Sequence, residues 1–290
     1  MPLILQSTTP LQSDQLSVVA QMVGATQILP VAPATIQGNR ADSGFHCWRL
    51  NPAIPVSELE AYCQQQHWDW AFVSEQQSLQ ALSLAVFDMD STLITIECID
   101  EIADMHGLKA QVAAITQQAM RGELDFSQSL RQRVALLAGL EESALQRVYE
   151  ERLRLSPGAL ELMAGLRAHQ VTTLMVSGGF TFFAHRVRDR LGLDACLANT
   201  LEIVNGRLTG KMVGPILDAQ GKAEALQRFR QQRPAGKVLA VGDGANDLLM
   251  MHAADVSVAY HAKPVVRAQA TYALNWVGLD GILNLFTSGA

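Results

Sequence analysis

From about Leu84 onward, short apolar runs alternate with amphipathic stretches, and no other property of the chain restricts its fold as strongly. The runs cover residues 84–87, 171–176, 238–241 and 256–260, and a helix-like segment follows each. Alternation of this kind specifies βαβ units around a parallel sheet, so the fold class is α/β. In such sheets ligands bind beyond the carboxyl ends of the strands. Three strand exits carry residues suited to chemistry: Asp88 to Thr92, Ser177-Gly178-Gly179, and Gly242 to Asp247.

Roughly 80 residues separate the first two runs and read as helical throughout, where a minimal crossover needs only about 10–12. They predict a helical cap inserted at about 97–156. Inside it, Asp125-Phe126-Ser127-Gln128 has the form of a capping box, and Leu130, Val134 and Leu137 mark one apolar face. Ser156-Pro157 predicts the start of the returning helix, with Leu160, Met163 and Leu166 inward. Asn205-Gly206, flanked by apolar runs, predicts a hairpin.

Residues 1–80 differ in character and predict a small α+β module, ferredoxin-like or ACT-like, ahead of a second unit at 81–290. Helices are expected at 14–23 and 56–66, and strands at 27–31, 45–50 and 70–74. No catalytic constellation is visible there. Trp68 and Trp70 read as packing or interface residues, and the module is the candidate surface for a homodimer.

Among 290 residues, 49% are hydrophobic, enough for a sizeable core, and the formal net charge is −6 with scattered basic residues. That distribution argues against a nucleic-acid binder. Cys47, Cys63, Cys98 and Cys196 lie far apart without a C-x-x-C pair, which argues against zinc and disulfides and suits a reducing cytosol. They read as small buried hydrophobes. The N-terminus lacks a basic start, and no segment approaches the roughly 20 apolar residues of a membrane span. A cytoplasmic protein without a membrane partner is expected.

Alone, Asp88-Met89-Asp90 reads as a polar turn after a buried strand. The later exits change that reading. If Asp88 attacks a phosphoryl group, an acyl phosphate forms and one difficult displacement becomes two easier ones. Asp90 can then protonate the leaving alkoxide and afterwards deprotonate the hydrolytic water. Charge is the obstacle, since two unit charges about 4 Å apart at an effective dielectric of about 20 repel by about 4 kcal/mol. A dication and a lysine are required. Asp243, with Asp88 and the backbone carbonyl of Asp90, would hold Mg²⁺, and Asp247 would stand behind them. Ser177 and Gly178 can face phosphate oxygens, and Lys222 can reach one as a point charge.

The order Asp-x-Asp-Ser-Thr, Ser-Gly-Gly, Lys, Gly-Asp-Gly-x-Asn-Asp resembles the haloacid dehalogenase-like phosphatases, and within them the phosphoserine phosphatases. The segments FDMDSTLITIECIDEIAD, AMRGELDFSQSLRQRVALL, VSGGFTFF, NGRLTG, DAQGKAEAL and VGDGANDLLMM carry the resemblance, from about Leu84 to the C-terminal helix. It implies a Rossmann-like core with a helical cap, Mg²⁺ dependence, Asp88 as nucleophile and Asp90 as general acid/base. It also implies Asp88, Asp90 and Asp243 at the metal, with Ser177, Gly178, Lys222 and Asn246 on phosphate or substrate. A phosphorylated amino acid offers an ammonium and a carboxylate beside its phosphate, so a specific pocket wants one anion and one cation. Glu97 and Arg133 match the family's substrate ligands, and the planar fork of arginine suits a carboxylate. Met120 and Phe126 fall where the family sets apolar cap residues. The expected activity is hydrolysis of O-phospho-L-serine, the last step of serine biosynthesis. The alternatives are another small phosphoester, transfer to an acceptor other than water, or a regulatory binding protein with a vestigial core.

Overall fold

The computed structural model describes residues 1–31, 45–233 and 235–287. Chain order begins β1 (Leu3–Ser7), α1 (Ser13–Val23), β2 (Gln27–Pro30), β3 (His46–Asn51), α2 (Glu58–Gln66) and β4 (Asp69–Phe72). These strands form an antiparallel sheet in the order β2-β3-β1-β4. With its β-α-β-β-α-β succession this is the ferredoxin-like arrangement. Leu16, Val19 and Val23 of α1 and Leu59 and Cys63 of α2 pack against Leu3, Leu5 and Leu50 of the sheet. The sequence reading contained no counterpart of β1. Every residue of that central strand is buried, so the alternation that marks half-exposed strands is missing. Trp68 is buried in this core against Tyr62, as a packing residue. Residues 32–44 lie outside the described residues.

The larger unit continues with β5 (Leu82–Phe87), α3 (Cys98–Met105), α4 (Lys109–Met120), α5 (Phe126–Ala135), α6 (Ser143–Glu151) and α7 (Ala159–Ala168). Next come β6 (Thr172–Phe180), α8 (Thr181–Leu191), β7 (Ala195–Val204), β8 (Arg207–Val213), α9 (Ala219–Gln231) and β9 (Lys237–Gly242). The chain closes with α10 (Leu248–His252), β10 (Val256–Tyr260), α11 (Pro264–Arg267) and β11 (Tyr272–Leu274). Seven strands form one sheet in the order β11-β10-β9-β5-β6-β7-β8, parallel except for β8. Alternate residues of β5 serve the two faces. Ala85 and Phe87 enter the core that includes α7 and α8, and Leu84 and Val86 the core that includes α9 and α10. Both faces are covered, which is why the strand reads as an unbroken apolar run.

The strand order has a direct consequence for chemistry. Central β5 lies between β6 and β9, so the chain leaves the sheet at three adjacent carboxyl ends, at a point where the strand order reverses. Asp88 and Asp243 lie just past two of those ends, whereas Ser177 lies within β6, which runs on to Phe180 across an irregularity after Val176 instead of ending before Ser177 as expected.

Helices α3 to α6 interrupt the β5-to-β6 connection as the predicted cap. Asp125 opens α5 with a complete capping box: its Oδ1 accepts from Gln128 N at 2.7 Å, and Gln128 Oε1 accepts from Asp125 N at 3.0 Å. The hairpin β7–β8 turns at Asn205 and Gly206, both at positive φ. The start of α7 departs from expectation. Gly158 caps it at φ +75, so the helix begins after Pro157 rather than on it, and Leu160 is exposed while Met163 and Leu166 are buried. A side chain at Gly158 would collide with Asp280, which fixes the turn there.

The two sheets are tied together by buried polar bonds. Asp69 at the start of β4 accepts from the backbone N–H groups of Asn275 (2.6 Å), Trp276 (2.9 Å) and Val277 (3.0 Å), just past β11. Gln6 of β1 donates to Gly281 O and accepts from Asn284. Among the described residues no helix is long and apolar enough to cross a membrane.

Candidate active site

Asp88 is the first residue past β5, and its N–H donates to Val241 O at 3.0 Å, so the ends of β5 and β9 are pinned side by side. The following turn, Met89–Leu93, is tight. Ser91 takes φ +56, and Ser91 N donates to Ile96 O, which folds Asp90 back beside Asp88 rather than letting the chain run on. Asp90 is then held on both oxygens: Oδ1 accepts from Cys98 N at 2.9 Å, and Oδ2 from Ser177 Oγ at 3.2 Å. The Cys98 thiol bonds to the same carboxylate.

Lys222 is buried in the first turn of α9, a helix started by Asp218, whose Oδ1 accepts from Gly221 N. Its ammonium donates to Asp88 Oδ1 at 2.6 Å and to Asp247 Oδ1 at 2.7 Å. Asp247 is fully enclosed and spends its other oxygen on Gly244 N at 3.0 Å. Thr92 Oγ1 donates to Asp243 Oδ1 at 3.2 Å, a second tie between the β5 and β9 exits.

The electrostatics follow from crowding. Carboxylate oxygens of Asp88, Asp243 and Asp247 lie within 4.8 Å of one another around one ammonium. Burial, then Asp247, push Asp88 well above the usual carboxylate range, against the pull of Lys222. Burial first and Asp247 second push Asp243 up to about 6. Burial also raises Asp90, and its hydrogen bonds to Cys98 and Ser177 oppose that. For Lys222 burial works against charge, but Asp247 and Asp88 outweigh it and keep the ammonium above its ordinary value. The site is short of positive charge, and a bound dication would reverse the shift of its carboxylates.

The donor set suits a hard cation. Asp88, Asp243 and Asp247 each offer a carboxylate oxygen, all within 4.8 Å of one another. Asp247 already accepts from Lys222 and Gly244 N, and Asp90 accepts from Cys98 N and Ser177 Oγ. All are oxygens, as Mg²⁺ prefers.

The structure therefore brings Asp88, Asp90, Ser177, Lys222, Asp243 and Asp247 together. Ser177 differs from expectation in detail, because its hydroxyl is turned to Asp90 and also accepts from Gly179 N at 2.8 Å. Gly178 lies under the cap, where an added Cβ would come within 2.9 Å of the Phe126 ring. At Gly179 a Cβ would run into the Asp90 carboxylate, so this strand end needs glycine for close approach. Asn246 sits partly exposed in the turn at 245–247. Glu97 stands at the N-cap position of α3 without a side-chain cap bond and accepts from Ser91 Oγ at 2.8 Å. Burial holds the half-buried Arg133 of α5 below its ordinary value, against the opposing pull of Asp100, Glu97 and Asp90. Met120 is 72% exposed at the end of α4. Cys98 and Thr92 are partners that sequence reasoning did not single out. A buried cysteine carries no sequence signal for bonding a carboxylate, whereas Thr92 stood inside the Asp88-to-Thr92 motif and could have been read from it.

Residues 85–252 match the model of the haloacid dehalogenase-like hydrolase family. A phosphoserine phosphatase of Polaromonas sp. (strain JS666 / ATCC BAA-500) is 52% identical over 214 residues, 71% of this chain and 91% of that protein. The crystal structure of a probable phosphoserine phosphatase from Vibrio cholerae superposes with a TM-score of 0.82 at 38% identity, covering 99% of this chain and 86% of that one. A phospho-aspartyl intermediate analogue of phosphoserine phosphatase gives 0.66 at 36% identity, covering 71% of this chain and 99% of that one. The chain belongs to the haloacid dehalogenase-like hydrolases.

Proposed function

We propose that the protein is a Mg²⁺-dependent phosphoserine phosphatase that hydrolyses O-phospho-L-serine through an aspartyl phosphate on Asp88. The strongest support is the pairing of Asp88 with buried Lys222 at 2.6 Å beside an Asp90 carboxylate fixed on both oxygens. In the first half-reaction an Asp88 carboxylate oxygen bonds to phosphorus as the phosphorus–oxygen bond to serine breaks, and protonated Asp90 gives its proton to the departing alkoxide. In the second, Asp90 takes a proton from water as that water's oxygen bonds to phosphorus and the bond to Asp88 breaks, releasing inorganic phosphate. Lys222 holds Asp88 in place and offers charge to the phosphoryl oxygens.

Asp88, Asp243 and the Asp90 carbonyl would hold the dication, which when bound supplies the positive charge that the converging carboxylates and the phosphate require. Chelation should abolish turnover, and millimolar Mg²⁺ should restore it. At a hundredfold excess over its dissociation constant a bound ion stabilises by about 2.7 kcal/mol. In a chain of this size that corresponds to a rise in Tm of about 5 °C or more. Asp243→Asn should remove both responses; a Tm indifferent to Mg²⁺ in the unaltered protein would sink the metal assignment.

Glu97 and Arg133 supply the anion and cation that an amino-acid substrate calls for. Arg133→Ala should lower kcat/KM for O-phosphoserine by roughly 10²-fold, the scale of a lost charged hydrogen-bond pair. An aryl phosphate, which carries no carboxylate, should change by less than about threefold. Equal losses on both substrates would remove Arg133 from substrate recognition. The reaction would complete serine biosynthesis, and the four unpaired cysteines suit a reducing cytosol.

A further inference from the structure

Asn199 of β7 is 3% exposed, and its amide is used at both ends. Its Nδ2 donates to Gly178 O at 2.8 Å and reaches Leu217 O at 3.5 Å, and its Oδ1 accepts from Leu217 N at 2.7 Å. Two carbonyls demand the NH₂ group and one N–H demands the oxygen, so an uncharged amide in this one orientation satisfies all three. The sheet creates the need. Strand β6 pairs with β7 at Val176–Leu197 and next at Phe180–Asn199, so Ser177, Gly178 and Gly179 stand opposite Ala198 alone. Ladder bonds lapse across such an irregularity, and the Asn199 side chain takes over for the Gly178 carbonyl.

Both partners of Asn199 lead to reacting groups. The Gly178–Gly179 peptide is held at each end, its C=O by Asn199 and its N–H by Ser177 Oγ at 2.8 Å. That hydroxyl in turn donates to Asp90 Oδ2 at 3.2 Å. If the peptide turns, the Gly179 N–H leaves Ser177, and the hydroxyl loses the bond that orients it toward Asp90. On the other side Leu217 precedes Asp218, whose carboxylate accepts from Gly221 N at 2.9 Å and whose carbonyl accepts from Lys222 N at 2.9 Å, opening α9. The Lys222 ammonium then reaches Asp88 at 2.6 Å.

We infer that Asn199 is a positioning residue for phosphoryl transfer: one buried amide fixes the Gly178–Gly179 peptide, and through Ser177 the Asp90 carboxylate, while it also fixes the start of the helix that carries Lys222. The assignment rests on the phosphatase reading above and extends it, because it joins the loop behind the acid/base to the loop behind the lysine. Asn199 itself touches no substrate.

The test is steady-state kinetics of the full-length protein with Mg²⁺, on O-phosphoserine and on O-phosphoethanolamine, which lacks the carboxylate. Asn199→Ala should lower kcat roughly 10–10²-fold, the scale of one or two buried hydrogen bonds left unmade, with KM within about threefold. The loss should be equal on the two substrates, because the groups that Asn199 holds serve the phosphoester they share. Asn199→Asp supplies the distinguishing signature. As a carboxylate it sets an oxygen against Gly178 O and should be at least as slow as Asn199→Ala; protonated, it donates to that carbonyl and still accepts from Leu217 N. Burial raises the pKa of a carboxyl, so its kcat relative to the unaltered protein at the same pH should climb at least about tenfold from about pH 8 to about pH 5.5. The same ratio for Asn199→Ala should stay level. A ratio as flat for Asn199→Asp as for Asn199→Ala, a loss confined to KM, or unequal losses on the two substrates would overturn the proposal. Should Asn199→Ala fail to fold, the pH dependence of Asn199→Asp decides alone. If the unaltered protein hydrolyses O-phosphoethanolamine but not O-phosphoserine, the phosphoserine reading falls, and the pH comparison on O-phosphoethanolamine still decides the role of Asn199. If it hydrolyses neither, both fall.

Discussion

Asp88→Asn should abolish turnover while leaving the fold in place. The amide has nearly the shape of the carboxylate but cannot form an acyl phosphate, so kcat should fall by at least about 10⁴-fold, the scale seen when an enzyme loses its nucleophile. Stability should hold or rise. In the native protein burial and Asp247 both disfavour the ionised Asp88, and the neutral amide escapes that crowding. Lys222 does not become an orphan, because Asp247 still accepts from it at 2.7 Å. Phosphate release and a urea unfolding curve on the same preparation check both halves. Appreciable activity in a folded Asp88→Asn protein would eliminate the covalent route. Loss of the fold would mean that the charge of Asp88 is structural.

Lys222→Met should cost the protein both activity and stability. The thioether chain matches the length of the lysine stem, so packing is largely kept and the lost charge dominates. Asp88, Asp243 and Asp247 would then converge without their ammonium, and removing one partner from a buried ion pair costs about 3–5 kcal/mol. That is a large share of the roughly 5–15 kcal/mol by which domains are stable. Turnover should drop by about 10³-fold, since the charge offered to the phosphoryl oxygens is gone. Chemical denaturation without Mg²⁺ is the sharp measurement. A free energy of unfolding within about 1 kcal/mol of the unaltered protein would show that Lys222 does not hold the carboxylates together. The contrast with Asp88→Asn is informative: one substitution removes a negative charge from a crowded site, and the other removes its cation.

The loss expected for Lys222→Met also marks where sequence reading stops. As an isolated lysine in an amphipathic segment, Lys222 is indistinguishable from a solvated surface residue. Its burial depends on α9 packing under the sheet beside β5 and β6, and β5 lies more than a hundred residues earlier in the chain. The same limit applies to Cys98, which reads as a small hydrophobe and proves to hold Asp90 through both its N–H and its thiol. It applies to β1, whose complete burial erases the alternation by which strands are found.

What the sequence determined by itself was local. Alternating apolar runs require a parallel sheet, Asp125 and Gln128 require a helix start, Asn205-Gly206 requires a tight turn, and acidic residues just past strand ends mark exits where chemistry can sit. Each depends on interactions within a few residues, and those are written in the order of the side chains. The tertiary structure decided which exits meet. Placing β5 between β6 and β9 draws Asp88, Ser177 and Asp243 to one point, and burial around that point sets their protonation. Strand order, exclusion of water and the satisfaction of buried charge are properties of the packed whole, so no single segment encodes them.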